Sequence, residues 1–266
     1  MDQKVFNTFR SIIYEKSGIS INLNKVALVS ARVSKRMREL GISDDKTYLQ
    51  YVLEDESGEE IVNLLDVIST NVTSFFRERE HFEYLSSLIK QWYEEGQRRF
   101  RIWCAAASTG EEPYSLAMTI ADALNGRSAD VRILATDIST RVLRKCIDGR
   151  YSEEKVESVP THLRNRFMEK MKDGSRVIYS VKKEIRNVLT FSRLNLSEPP
   201  FPMHGPFDAV FCRNVMIYFD NAVRSRLLAD IHRLLRMDGY FFVGHAESLT
   251  GILSGFKAVV PSIYNK

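Results

Sequence analysis

The sequence predicts an α/β protein: an all-helical N-terminal domain followed by a doubly wound, mostly parallel sheet. Residues 1 to about 70 contain no strand-like alternation and predict several short helices. From about residue 79, apolar strands alternate with helical stretches, which is typical of a parallel sheet covered on both faces. The interval from about Tyr151 to Leu194 breaks this rhythm with alternating pieces such as residues 176–180. That interval predicts a small antiparallel insertion.

These patterns divide the chain into three parts. We expect a helical domain over residues 1–70, a linker over 71–78 and a sheet domain over 79–266, with the insertion at about 151–194. In the sheet domain, the expected elements are a helix over 79–95, a strand over 100–105, a helix over 112–124, a strand over 131–136, a helix over 140–146, a strand over 207–212, a helix over 221–235 and a strand over 239–243.

Composition excludes several classes of protein. The 266 residues are 44% hydrophobic and 27% charged, with no apolar run long enough to span a bilayer and no apolar leader after Met1. Three widely spaced cysteines form no CxxC pair, and five histidines show no metal-ligand spacing. We therefore expect a cytoplasmic protein with reduced thiols and no metal. The net charge of +4 is too small to indicate a nucleic-acid partner.

Polar residues follow three of the expected strands, at the edge where an open parallel sheet binds its ligands. Residues 105–113 combine small residues, which let a ligand approach the backbone, with the start of a helix. They lack the GxGxxG fingerprint of dinucleotide-binding proteins, and they could form an ordinary turn between a strand and a helix. The two acidic residues in this segment, Glu111 and Glu112, argue against a bound phosphate group. Asp137 could bind ribose hydroxyls or cap the next helix. In residues 212–219, Asn214 could contact a ligand, and Tyr218 could line the reacting centre or only pack.

The expected linker also combines polar and aromatic residues. Asn71, Thr73 and Arg77 alternate with Phe75 and Phe76, at the place where a cleft between two domains would form. The alternative interpretation is a capped helix start, with the two phenylalanines in the core.

Five segments together resemble the CheR chemotaxis receptor methyltransferases. They are TNVTSFFRE (70–78), AAASTGEEPYS (105–115), ATDIST (135–140), LNLSE (194–198) and FCRNVMIYF (211–219). They span nearly the whole chain in order, and GEEPYS followed by CRNVxIYF is a specific pair. The resemblance implies a helical domain, a Rossmann-like S-adenosylmethionine methyltransferase domain and an inserted antiparallel β-subdomain.

The resemblance also implies a set of cofactor-binding residues: Asn71, Thr73, Arg77, Glu111, Asp137, Asn195, Leu196 and Asn214. In that set, Asp137 would hold the ribose, while Asn195 and Leu196 would flank the adenine. Glu111, favoured over Glu112, would contact the amino-acid end of the cofactor.

Arg77 and Tyr218 resemble the family's residues nearest the transferring methyl group. The implied reaction moves a methyl group from a sulfonium to a receptor glutamate, giving a methyl ester and S-adenosylhomocysteine. A glutamate carboxylate is already ionised at neutral pH, so this reaction requires no general base. Alignment and removal of water would then provide most of the rate enhancement. Arg77 could hold the carboxylate or position the cofactor.

A basic helix in the N-terminal domain suggests how the receptor would dock. Residues 25–40 place an apolar stripe beside basic residues, namely Lys25, Arg32, Lys35, Arg36 and Arg38. The resemblance implies that this face meets the helical, glutamate-bearing bundle of a chemotaxis receptor. The alternative is a solvated basic surface. Some family members also bind a peptide at the receptor's C-terminus through the β-subdomain, here residues 172–188.

Two other functions compete with this interpretation. A methyltransferase for RNA or a small molecule is disfavoured because the basic helix has few aromatic neighbours for stacking bases. A non-catalytic S-adenosylmethionine-binding module is disfavoured because Arg77, Asp137, Asn214 and Tyr218 all match the family pattern.

Overall fold

The computed structural model describes residues 1–69, 71–249 and 255–266. Its first domain is helical, as predicted, with α1 (Gln3–Ser17), a 3₁₀ turn (Leu23–Lys25), α2 (Val26–Leu40), α3 (Asp45–Glu54) and α4 (Glu59–Ile68). The stripe on α2 forms part of the core, where Val29, Val33 and Met37 are buried. Thr70, the expected last residue of this domain and the first of the TNVTSFFRE motif, lies outside the described residues.

Ten strands and six further α-helices follow within the described residues. The strands are β1 (Arg99–Cys104), β2 (Asp130–Asp137), β3 (Arg150–Ser152), β4 (Met168–Asp173), β5 (Arg176–Val181), β6 (Leu189–Arg193), β7 (Phe207–Cys212), β8 (Leu235–Val243), β9 (Lys257–Val260) and β10 (Ile263–Asn265). The helices are α5 (Glu80–Glu94), α6 (Glu111–Leu124), α7 (Thr140–Asp148), α8 (Thr161–Phe167), α9 (Lys183–Arg186) and α10 (Asn221–Leu234).

Seven of the strands form the main sheet in the order β6-β2-β1-β7-β8-β10-β9. The first five are parallel to one another. At one edge, β10 pairs antiparallel with β8, and β9 pairs antiparallel with β10. Helices bury both faces: Leu85 of α5 packs into one core with Phe211, and Leu227 of α10 packs into the other with Trp103. All six residues of β7 are buried, as expected for a central strand. The doubly wound, Rossmann-like prediction is confirmed.

The insertion is smaller than the sequence suggested. β3, β5 and β4 form a separate three-stranded antiparallel sheet. The predicted interval of about 151–194 also contains Leu189–Arg193, however, and this segment pairs parallel to β2 as an edge strand of the main sheet. The residues of this edge strand are partly or fully exposed, so its sequence resembles a half-exposed antiparallel strand more than a buried parallel one.

The helical domain closes over one end of the sheet domain. Ile19 forms a β-bridge with Phe219, and the Ser20 N–H donates to the Tyr218 carbonyl at 2.8 Å. The Tyr14 hydroxyl donates to Asp220, the N-cap of α10, at 2.5 Å. These contacts place the loop after α1 above the carboxyl ends of the parallel strands. Across the described ranges, no helix combines the length and apolar character needed to cross a bilayer.

Candidate active site

A cavity lies between the carboxyl ends of the parallel strands and the helical domain. The empty space between these walls, counted together with the part that is open to solvent, is about 1210 Å³. The loops after β1, β2 and β7 form its floor, the linker forms one side, and residues 17–32 of the helical domain form its roof. The expected pocket at the strand ends is therefore present.

Asp137 ends β2 and faces this cavity. Its Oδ2 accepts the Ser108 N–H at 2.8 Å and its Oδ1 accepts the Ser139 N–H at 3.0 Å. Ser139, not Asp137, is the N-cap of α7, since the Ser139 hydroxyl accepts the Val142 N–H. The alternative that Asp137 serves as the N-cap of α7 is therefore excluded. Burial raises the pKa of Asp137 to about 6, a perturbation that is common at ligand-binding carboxylates.

Glu112 and Arg213 form a buried ion pair in the cavity wall. Arg213 Nη1 lies 2.7 Å from Glu112 Oε2, and Arg213 Nη2 lies 3.0 Å from Glu78 Oε2. The Arg213 side chain has no exposed surface and also donates to the Arg77 carbonyl. Burial raises the pKa of Glu112, although Arg213 opposes this shift. One guanidinium therefore joins the linker, the start of α6 and the end of β7.

Glu111 does not line the cavity, contrary to our preference for it as the cofactor contact. Its carboxylate is fully buried against the insertion, where it pairs with Lys155 and accepts the Thr109 hydroxyl at 2.6 Å. Successive helix residues point roughly 100° apart, so a helix that directs Glu112 at Arg213 turns Glu111 away. Glu112 is the glutamate of this pair that borders the cavity.

The linker brings Asn71, Thr73 and Arg77 into the cavity wall. It is not a helix start, because α5 begins only at Glu80 and has no side-chain cap. Phe76 and Glu78, on either side of Arg77, both have positive φ, at 53° and 56°. Such backbone conformations cost energy in residues other than glycine and concentrate at functional sites.

Asn214 and Tyr218 also line the cavity. Asn214 follows the end of β7 with a φ of 57°, and its Nδ2 lies 3.3 Å from Glu78 Oε1. Tyr218 closes a short 3₁₀ turn and is only half-buried. The structure thus brings both residues to the same cavity as Arg77 and Asp137.

Asn195 and Leu196 also line the cavity, next to the apolar side chains of Ile138 and Leu194. The Asn195 amide is already engaged, since its Nδ2 donates to the Lys16 carbonyl at 3.0 Å and to Glu198 at 2.7 Å. This part of the wall is therefore an apolar slot. It suits a flat ring that is recognised mainly through packing.

The five basic residues of α2 and its approach do not form one surface. Lys25 and Arg32 line the cavity, and Arg32 also donates to the Ile68 carbonyl. Lys35 and Arg38 are exposed. Arg36 is bound inside the domain, where its Nη2 lies 2.6 Å from Glu60, a carboxylate that is only 3% exposed. The Arg36 guanidinium is therefore already paired within the domain, and its role in docking stays a prediction.

Two histidines and a glutamate also meet beside the ion pair. Ligand atoms of Glu78, His81 and His245 lie within 4.8 Å of one another. Glu78, however, is already paired with Arg213, and burial followed by the charge of Arg213 lowers the pKa of His81 to about 4. A guanidinium at this position disfavours a second cation, so the arrangement fits a buried ion pair better than a metal site.

A doubly wound sheet with a ligand cavity at its strand ends defines a Rossmann-like, nucleotide-type cofactor-binding protein. Comparisons identify the family. Residues 71–263 match "CheR methyltransferase, SAM binding domain", and residues 4–69 match "CheR methyltransferase, all-alpha domain". The chain therefore belongs to the CheR methyltransferase family and is an S-adenosylmethionine-dependent methyltransferase that acts in chemotaxis.

Named relatives cover nearly the whole chain. Chemotaxis protein methyltransferase 2 of Pseudomonas aeruginosa is 38% identical over 98% of this chain and 92% of its own length. The chemotaxis protein methyltransferases of Salmonella typhimurium and Escherichia coli are each 35% identical over 97% of this chain, and over 88% and 89% of their own lengths.

Sequence reasoning missed part of the site. Arg213 stands inside the CRNVMIYF motif, and its place directly after a strand was a usable signal. The roof residues Ser17 and Ile19–Ile21 gave no such signal, because they reach the cavity only through contacts with residues about 200 positions away.

Proposed function

We propose that this enzyme esterifies glutamate side chains on the cytoplasmic helical bundle of chemotaxis receptors, releasing S-adenosylhomocysteine. The observation that carries the proposal is the placement of Arg77 and Tyr218 in one cavity, beneath a helix that exposes Lys35 and Arg38. A guanidinium and a phenol can orient a carboxylate, and the exposed cations can attract an acidic helix.

The residues of the cavity fit S-adenosylmethionine. Asp137 is a buried carboxylate that no capping role explains, and it can accept bonds from ribose hydroxyls. Leu196 and Ile138 border a slot for the adenine ring, and Glu112 adds negative charge for the cationic end of the ligand. Asn71, Thr73 and Asn214 supply polar contacts.

The bound cofactor supplies a methyl group on a positively charged sulfur. The chain's own contribution is alignment. Arg77 donates charge-assisted hydrogen bonds to the substrate carboxylate, Tyr218 fixes its orientation, and the roof excludes water. An ionised carboxylate needs no proton removed, so the reaction does not require a general base.

Transfer of an isotopically labelled methyl group tests the proposal. Incubating the enzyme with labelled cofactor and a receptor cytoplasmic domain should place the label on the receptor, in a form released by mild base as expected for an ester. Label on RNA, or no transfer to the receptor, would overturn the proposal.

Acidification should weaken cofactor binding around pH 6. The pKa of Asp137 is raised to about 6, mainly by burial, so its ionised form, which accepts two ribose hydroxyls, is depleted below that pH. Calorimetric titration with S-adenosylhomocysteine between about pH 5 and about pH 8 should show this loss. Asp137→Asn should bind weakly at every pH, with a flatter profile. A flat profile for the unmodified enzyme would contradict the assignment.

Charge reversal on α2 should slow methylation of the receptor. The Lys35→Glu/Arg38→Glu enzyme should react roughly tenfold more slowly at low salt and lose the salt dependence of the unmodified enzyme. Cofactor affinity should not change, because neither residue lines the cavity. Lys90→Glu, an exposed lysine on α5, is the matched control and should have no effect. Equal rates for the two variants would argue against docking on α2.

The insertion provides an edge for a receptor C-terminal peptide. Within the described residues, β4 pairs only with β5, so its other side can accept an added strand. Methylation of a receptor panel with and without their C-terminal tails tests this. Identical rates for both forms would remove the tether from the proposal.

A further inference from the structure

Glu247 lies on the loop after β8, behind the wall of the cavity. It is 5% exposed and does not line the cavity. Its Oε2 accepts the backbone N–H groups of Asn214 and Gly244, each at 2.7 Å, and its Oε1 accepts that of Ile217 at 3.3 Å. One buried carboxylate therefore binds the loop after β7 to the loop after β8.

The loop held by Glu247 carries two residues of the proposed site. Asn214 is held with a φ of 57°, a conformation that costs energy in residues other than glycine and needs support from its surroundings. Two of the three N–H groups bound by Glu247 belong to this loop, namely those of Asn214 itself and of Ile217, the neighbour of Tyr218. A change in these bonds therefore moves both functional side chains.

Gly244 completes this arrangement. A Cβ atom at this position would collide with Asn214 Nδ2 and would lie 2.9 Å from Glu247 Oε2. The Asn214 amide thus packs directly on the backbone after β8, and Nδ2 is left to point at Glu78 Oε1, 3.3 Å away. The amide is fixed by backbone contact on one side and by a carboxylate on the other.

We infer that Glu247 is a positioning residue for the methyltransferase reaction: it sets the conformation of residues 214–218 and so places Asn214 against the cofactor and Tyr218 against the substrate. Its side chain does not line the cavity, so it acts through these residues. This inference rests on the proposed roles of Asn214 and Tyr218. A glutamate is suited to the position because two carboxylate oxygens can accept three N–H groups, whereas a neutral amide has only one accepting oxygen.

Replacement of Glu247 should therefore change binding and turnover in a graded way. Glu247→Gln keeps an acceptor for one side but directs an NH₂ group at a backbone N–H on the other, and Glu247→Ala removes all three bonds. We expect cofactor affinity and kcat to fall on the order of threefold in Glu247→Gln and of tenfold or more in Glu247→Ala.

Asp208→Asn is the matched control that separates an effect on positioning from an effect on stability. Asp208 is also a buried carboxylate, but it lies on β7 at the end of that strand away from Asn214, where its Oδ2 accepts the Arg101 N–H at 2.6 Å. This variant should lose at least as much stability while retaining the cofactor affinity and kcat of the unmodified enzyme. Calorimetric titration with S-adenosylhomocysteine and steady-state kinetics, both below the melting temperature of the least stable variant, provide the comparison.

Different results would contradict the role of Glu247 and the proposed function of the enzyme. If Glu247→Gln and Glu247→Ala lose stability as Asp208→Asn does but keep normal affinity and kcat, Glu247 is only structural and the inference is wrong. If Glu247→Ala does not fold, Glu247→Gln alone decides. Failure of the unmodified enzyme to methylate a receptor would instead overturn the proposed function.

Discussion

Replacing Arg213 with methionine should lower the free energy of unfolding by about 3–5 kcal/mol, because the buried Glu112 and the half-buried Glu78 lose their cation. Glu112 and Glu78 both pair with this guanidinium, whose side chain has no exposed surface. The Arg77 carbonyl also loses a donor, so the linker should loosen. Chemical unfolding of the cofactor-free enzyme measures the loss, and cofactor titration should show weaker binding at the same time.

The pH dependence and a rescue variant test the cause of this loss. Burial raises the pKa of Glu112 and Arg213 opposes the rise, so without Arg213 the carboxyl takes up a proton more readily. The loss should therefore be smaller at about pH 5 than at about pH 8. Adding Glu112→Gln to Arg213→Met should restore part of the stability. Arg79→Met, which breaks an exposed pair with Glu83, should cost less than about 1 kcal/mol. A loss independent of pH would contradict an electrostatic origin.

The parts of the site that follow strands could be predicted from sequence. Asp137 ends the strand β2 and Asn214 lies two residues after the strand β7. Because the carboxyl ends of parallel strands meet at one edge, their proximity follows from the fold class. The packing stripe on α2 was also predictable, because helical spacing alone places Val29 and Val33 on one face.

The role of a residue could not be predicted where it depends on the direction of its side chain or on a partner far away in the sequence. Glu111 and Glu112 stand in the same turn of α6. Which of them borders the cavity is decided by their partners, since Glu111 pairs with Lys155 and Glu112 pairs with Arg213. Arg36 belongs to a basic run, yet its partner Glu60 is supplied by another helix, 24 positions later. Pattern reasoning detects periodicity along the chain, whereas these pairings depend on tertiary packing.

The site also shows where stability is given up for function. Burial raises the pKa values of both Asp137 and Glu112, so each carboxylate, when ionised, is less stable in the folded chain than in water. Two residues of the linker also have positive φ. These costs are concentrated at the proposed cofactor pocket, as expected where binding requires preorganised charge.

Arg77→Ala should reduce kcat on receptor by on the order of 100-fold, because the substrate carboxylate loses its charge-assisted donors. Arg77→Lys should recover only part of this, since an ammonium keeps the charge without the planar fork. Tyr218→Phe removes one hydroxyl and should reduce kcat roughly tenfold with little change in cofactor affinity. Steady-state kinetics with a receptor domain, together with cofactor titration, separate these effects.

The matched control is Arg79→Ala, an exposed arginine two residues along the same segment, which should keep normal kcat. The comparison also decides between the two roles open to Arg77. A fall in kcat with unchanged cofactor affinity places the guanidinium on the substrate carboxylate, whereas a parallel loss of cofactor affinity places it on the cofactor. If Arg77→Ala and Tyr218→Phe both turned over receptor like Arg79→Ala, neither side chain would act on the reacting groups. The strained conformations on either side of Arg77 would then require a different explanation.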